Sequence, residues 1–207
     1  MKLFTLRPFK MMFYRIVFLL IQRYHIPITK EDFIMNDMLT LLTTRRSIRK
    51  YQSTPIKEEE LQAILAAGTY APTAMGQQSP IIVSIENKEL CDCLSKLNAS
   101  IMGCDHDPYY GAPFILLVFA PKDKKTHIQD ASCVLLNMML AAHSFGIGTC
   151  WINREKEMFE TAEGQALMKT WEIDAAYEGV GALALGYPDG DAPKPKERKA
   201  DYIRRIQ

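Results

Sequence analysis

At 207 residues, 48% of them hydrophobic, the chain is long enough for one domain with a substantial core. Its 25 lysines and arginines stand against 24 aspartates and glutamates, a formal net charge of +1, which removes any global electrostatic reason to bind nucleic acid. Scattered cysteines (Cys91, Cys93, Cys104, Cys133, Cys150) and dispersed histidines, with no pair at ligand spacing, argue against a disulfide frame or a metal site and predict reduced thiols in a cytoplasmic protein.

Residues 1–34 differ from the rest. They hold Lys2, Arg7, Lys10, Arg15, Arg23 and Lys30 against only Glu31 and Asp32. The apolar run from Ile16 to Ile21 is bounded by Arg15 and Arg23, far short of the ~20 residues that a membrane span needs. Stable membrane insertion is therefore not expected. Arg15 also interrupts what would be the apolar region of a secretory signal. Three readings stand: an interfacial basic-amphipathic helix, an added helix packing on a partner subunit, or an upstream extension that is not part of the mature protein. The last is favoured, because Met35-Asn36-Asp37 supplies a start followed by polar residues able to cap a helix over Met38–Thr43. On this reading the folded domain is 35–207.

Next comes Arg45-Arg46-Ser47-Ile48-Arg49-Lys50-Tyr51, four cations and a hydroxyl around one apolar position. Guanidinium forks and a Ser hydroxyl suit an anion such as phosphate; taken alone, a charge run also reads as a solvated face.

Leu61, Ile64 and Leu65 recur at helical spacing after Lys57-Glu58-Glu59-Glu60, whose acids suit a helix N-terminus, and Gly68 and Pro72 are expected to close that helix. Ile81–Ile85 reads as a strand and Asn87–Leu97 as a short helix. Asp105–Tyr110 reads as a surface loop, with a substrate lid bearing Tyr109 and Tyr110 as the alternative. Phe114–Phe119 is continuously apolar, the pattern of a strand buried on both faces. Thr126-His127-Ile128-Gln129 has capping-box spacing and opens a helix that runs to about His143–Phe145 and stops at Gly146. That helix is apolar nearly all round and must be buried in the core or in a subunit interface. Gly179–Gly186 is a last glycine-punctuated strand, and Ala192–Arg205 a Pro- and Lys-rich tail. The order is mixed α and β, the pattern of an α+β domain.

Together these pieces resemble the nitroreductase family of flavin enzymes. The resemblance is carried by the basic run with Pro55-Ile56, by Ala71-Pro72-Thr73-Ala74-Met75-Gly76-Gln77-Gln78, by Asp130, by Gly146-Ile147-Gly148-Thr149-Cys150-Trp151-Ile152, by Gly186-Tyr187-Pro188 and by Pro195-Lys196-Glu197-Arg198-Lys199. It implies an α+β fold with a central, mainly antiparallel sheet wrapped by helices, and a homodimer with FMN at the interface. It assigns the FMN phosphate and ribityl oxygens to Arg45, Arg46 and Ser47, joined by Lys196 and Arg198, and the pyrimidine edge to Arg49. It also implies that Pro72, Thr73, Ala74, Gly76 and Gln78 would be offered by the partner subunit, and that Trp151, Ile152 and Asn153 would lie along the ring near N5. Gly76 stands where many members carry Asn, and Asn153-Arg154 replaces a small or acidic-glycine pair. Arg154 either borders the substrate, narrowing its face or attracting an anion, or points to solvent beside Glu155.

The implied activity is transfer of a hydride from NADH or NADPH through flavin N5 to a nitroaromatic, quinone or similar acceptor in alternating half-reactions. Other flavin reactions on the same scaffold (reductive dehalogenation, flavin fragmentation, substrate dehydrogenation) and a flavin-binding sensor are the alternatives. No catalytic side chain is nominated, because the cofactor carries the chemistry.

Overall fold

The centre of the fold is β2 (Phe114–Pro121), every residue of which is buried. The computed structural model describes residues 38–206, so the reading of residues 1–34 and the capping by Asn36 and Asp37 lie outside the described residues. The chain divides into two units, Met1–Thr43 and Thr44–Gln207. In the first, residues 38–43 are helical, as the sequence predicts, with the Thr43 hydroxyl donating to the Leu39 carbonyl at 2.7 Å. The second carries everything that follows.

Four strands form one sheet: β1 (Ile81–Ile85), β2, β3 (Gly148–Ile152) and β4 (Tyr177–Gly186), in the order β1-β2-β4-β3 with every neighbouring pair antiparallel. Alternation along the strands sorts the core into two layers. Leu116, Val118, Leu183 and Leu185 meet α1 (Glu58–Thr69) and α3 (His127–Ser144) on one face. Ile115, Leu117, Phe119, Ala182 and Ala184 meet α2 (Lys88–Met102), α4 (Glu155–Glu160) and α5 (Ala162–Thr170) on the other. Trp171 packs edge-on to Phe119 and Phe159 in that second layer, a structural aromatic. The result is an α+β sandwich of helices around an antiparallel sheet.

The α1 helix begins on Glu58, Glu59 and Glu60 as expected, but Gly68 does not end it. It is buried inside the last turn, where a Cβ would fall 2.8 Å from Ile82 Cδ1 and 2.9 Å from Met138 Cγ. Gly68 is thus a close-packing position between helix and sheet. The α2 helix runs past the expected end at Leu97 to Met102, because the apolar stripe Cys91, Leu94, Ile101 continues through a fully buried Asn98. Gly103, at φ 69°, then ends it. Thr126 precedes α3 but makes no capping box: its hydroxyl donates to Asp130 Oδ2 at 3.4 Å instead of accepting from the backbone. Met138 and Met139 are core filling in α3. The last strand starts at Tyr177, two positions before Gly179. Among the described residues, no helix is long and apolar enough to cross a membrane.

Candidate functional site

The basic run is an added edge to the sheet. Ser47 bridges Thr149 of β3 in parallel, and the Ile48 amide donates to the Thr149 carbonyl at 2.9 Å. Ile48 is buried against Gly148, where a Cβ would meet Ile48 Cβ at 2.8 Å. Farther along, Tyr51 bridges Pro188, the Gln52 amide donates to the Tyr187 carbonyl at 2.9 Å, and Lys50 pairs with Asp189 at 2.7 Å. The Tyr51 hydroxyl donates to the Ile48 carbonyl at 2.6 Å and so folds the run onto itself. Three sequence pieces, 45–51, 146–152 and 186–188, therefore become one structural unit.

That unit concentrates positive charge. Arg45 is half-buried, and its Nη1 is a buried donor with no hydrogen-bond partner among the described residues. Neither Arg45 nor Arg49 forms an ion pair among the described residues. Arg46 Nη1 donates to the Arg45 carbonyl at 2.7 Å. His143, near the end of α3, lies 2.9 Å from the Thr44 hydroxyl, and burial together with Arg45 and Arg46 holds its imidazole below the ordinary histidine range. Beneath the run, burial pushes the Cys150 thiol up, against the opposing pull of Arg49, the Ser47 side chain and Arg45. Arg49 is exposed, with Nε donating to the Tyr110 hydroxyl at 3.3 Å and its Cζ lying 5.7 Å from the ring centroid. An uncompensated guanidinium donor held half-buried beside further cations is an anion receptor by its chemistry.

The loop 72–78 is built differently. Met75, Gly76 and Gln78 adopt φ of 55°, 65° and 50°, a left-handed sequence that side chains other than glycine enter at a cost. The Ala74 amide donates to the Asp130 carboxylate, 3.2 Å from each oxygen, and the Gln78 amide donates to Thr73 Oγ1 at 2.9 Å. Thr73 and Gln78 also line a cleft of about 480 Å³ beside α1. Asp130 sits in the first turn of α3 and His143 in its last. At ~1.5 Å per helical residue, the loop anchor and the basic run are roughly 20 Å apart along that helix. One chain does not bring them together.

Other expected site residues divide. Trp151 is half-buried on β3, its indole nitrogen lying against Gly181, where a Cβ would come within 2.8 Å. Ile152 is buried and Asn153 exposed. Tyr109 is a correction: at 1% exposure it belongs to the core, and its hydroxyl donates to Glu155 Oε1 at 3.0 Å, so it cannot serve as a lid. Tyr110 alone stays beside Arg49. Lys196 and Arg198 are exposed in the tail, where the Arg198 guanidinium donates to the Lys196 carbonyl, and no hydrogen bond or ion pair among the described residues joins them to the basic run.

Asn98 and Glu155 escape the sequence reading. Asn98 accepts from Arg154 Nε at 2.8 Å and donates to the Asn153 carbonyl at 3.0 Å. Glu155 is 1% exposed, and burial pushes its carboxyl up to about 8. The one available signal for Asn98 is a polar residue inside an otherwise apolar helical stripe.

Comparison with known proteins decides the family. The nitroreductase family matches residues 42–104 and 96–187, well over half of the chain. The chain belongs to the nitroreductase family. The match spans the basic run, the 72–78 loop, β3 and the Gly186-Tyr187 turn, and stops before Lys196 and Arg198. A nitroreductase of Bacteroides fragilis with bound FMN, known from its crystal structure, is 28% identical and superposes with a TM-score of 0.77, covering 83% of this chain and 100% of its own. A protein of Archaeoglobus fulgidus named as a candidate NADH dehydrogenase/NAD(P)H nitroreductase is 28% identical over 160 residues, 74% of this chain and 87% of that one. An NAD(P)H-linked FMN reductase of Bacillus subtilis is 27% identical over 180 residues, 78% of this chain and 70% of that one.

Proposed function

We propose that this nitroreductase-family chain is a cytoplasmic, homodimeric FMN-dependent oxidoreductase that uses NADH or NADPH to reduce a nitroaromatic, quinone or similar electron-poor acceptor. The observation that carries the reading is the buried Nη1 of Arg45, without a hydrogen-bond partner among the described residues, beside Arg46 and Ser47 on the β3 edge. An FMN phosphate bears roughly two negative charges, and this donor set fits it. When bound there, FMN would supply the hydride chemistry between the nicotinamide and the acceptor.

The protein's part is position and charge. Arg45, Arg46 and Ser47 hold the phosphate; Lys196 and Arg198 reach it from the tail. Arg49, without a carboxylate partner among the described residues and oriented against Tyr110, would lie at the pyrimidine edge and stabilise negative charge there. Trp151, Ile152 and Asn153 border the ring. Pro72, Thr73, Ala74, Gly76 and Gln78 come from a second copy, because Asp130 ties their loop to the opposite end of α3 from the run. Ile128 and Leu136, about two turns apart and exposed on α3, supply apolar surface for that copy. Residues 1–34 stand outside the enzyme unit of 35–207.

One cuvette tests this. Purified protein should show a flavin absorbance spectrum, bleach anaerobically with NADH or NADPH, and recover its colour when a nitroaromatic is added. A colourless preparation that takes up no FMN on titration defeats the flavin reading; bound FMN that neither nucleotide reduces defeats the reductase reading.

A further inference from the structure

Arg154 is held in a backbone conformation that its own side chain disfavours. Its φ is 84°, in the region that glycine enters freely and that strains residues with a side chain. Such a conformation persists where the surroundings over-determine it, and here Asn98 does so. This side chain is 0% exposed. Its Oδ1 accepts from Arg154 Nε at 2.8 Å, and its Nδ2 donates to the Asn153 carbonyl at 3.0 Å. One buried amide therefore grips both the guanidinium and the peptide unit that precedes it.

The grip leaves the working edge of the guanidinium unused. Among the described residues, no hydrogen bond or ion pair engages the two Nη groups. The adjacent acid does not cancel the charge either. Glu155 is buried, receives the Tyr109 hydroxyl, and with its carboxyl pushed up to about 8 is predominantly neutral at pH 7. An anchored, uncompensated cation thus stands one residue from Asn153.

We propose that Arg154 is the anion subsite of the acceptor face, taking the carboxylate of an acid-bearing, electron-poor aromatic acceptor while Asn98 fixes its position. The inference rests on the proposed function for placing Asn153 beside the flavin ring. Two parallel N–H groups of a planar fork match a carboxylate edge, and a fixed fork loses less freedom on binding than a mobile lysine. The extra phosphate of NADPH is a poorer fit, because it sits on the adenosine ribose at the far end of the molecule from the nicotinamide that must reach the ring.

The test uses 4-nitrobenzoate and its methyl ester, which differ in charge. Binding of each to FMN-loaded protein is read from the flavin difference spectrum with no nucleotide present, and to flavin-free protein from tryptophan quenching; kcat/KM for each follows with NADH as donor. The wild-type protein should favour the acid. Arg154→Gln and Arg154→Gly should lower the acid-to-ester ratio roughly tenfold, the scale of one charge-assisted hydrogen bond, chiefly through affinity and KM, and Arg154→Lys should keep part of it. Because glycine suits the φ at this position, a higher melting temperature for Arg154→Gly would separate lost recognition from lost folding. An unchanged ratio in all three variants, or an effect confined to NADPH relative to NADH, overturns the proposal. Failure of the reductase reading is distinguishable: FMN that nucleotides do not reduce leaves both binding titrations intact.

Discussion

Ile48 rests on Gly148 with no space between them, since a Cβ on Gly148 would fall 2.8 Å from the Ile48 Cβ and from its Cγ1. The contact fixes how the cations on either side of Ile48 sit on β3. Gly148→Ala should therefore push the run away from the sheet. Overpacking of this kind costs about 1–3 kcal/mol. Thermal melting and FMN fluorescence titration should both record the loss, and Ile48→Gly in the same chain, which removes the clashing Cβ together with both Cγ atoms, should recover part of the FMN affinity. Additive losses in the double variant would mean that the two residues do not act through this contact.

The cations of the run should separate by function. Arg45 has a buried donor without a hydrogen-bond partner among the described residues, so Arg45→Ala should weaken FMN binding roughly tenfold to a hundredfold, the range for a hydrogen bond to a charged group. Arg49 is exposed and tuned by Tyr110. Arg49→Ala should retain more FMN but lower its midpoint potential, by about 30 mV for each ~1.4 kcal/mol of lost stabilisation of the reduced form. Equal losses of affinity with no potential change in either variant would remove the division of labour.

Strong periodic signals are legible in the amino-acid sequence. Phe114–Phe119 is apolar throughout because both faces of β2 are covered, and Leu61 and Ile64 face the core at helical spacing. Legibility fails where a local pattern meets a tertiary demand. Gly68 has the chemistry of a helix stop, yet it sits inside α1 because Ile82 and Met138 leave no room for a side chain. Thr126 has the spacing of a cap, but Asp130 takes its hydroxyl. Of the site, the run 45–51 and the loop 72–78 are readable as motifs. Their placement at opposite ends of α3 is not, since it depends on Asp130 and His143 finding partners 56 and 99 positions away. Tyr109 has the sequence setting of a lid because tyrosines before a strand are commonly exposed; its partner Glu155 gives it a place in the core.

That same Glu155 should leave a mark on stability. Its carboxyl is pushed up from the ordinary 4.5 to about 8, chiefly by burial. The folded state thus holds a proton that the unfolded chain releases at lower pH. Stability from this group is fully present below about 4.5, falls as pH rises, and is lost by about 8, with a slope on the order of 1.4 kcal/mol per pH unit within that window. Glu155→Gln keeps a neutral acceptor for Tyr109. Urea melts across the range should show a flatter profile for the variant and a gain over wild type near pH 8; parallel profiles would mean that Glu155 ionises without consequence.

Asp130 should govern the loop that the proposed dimer shares. Its carboxylate accepts the Ala74 amide, and from there the chain enters the left-handed stretch at Met75, Gly76 and Gln78. The acid is 7% exposed and lies in the first turn of α3, where the helix dipole favours a negative charge. Asp130→Ala leaves the Ala74 amide without its acceptor, a loss of ~1.5–3 kcal/mol for a hydrogen bond to a charged group. That strain would then be relieved by opening 73–78. Limited proteolysis should cut this loop faster in Asp130→Ala, with Asp130→Asn intermediate because its amide oxygen can still accept. FMN should dissociate faster in the same order, while Arg45-dependent phosphate affinity stays with the other end of the helix. If cleavage accelerates but FMN release does not, the loop does not cover the flavin of a second copy.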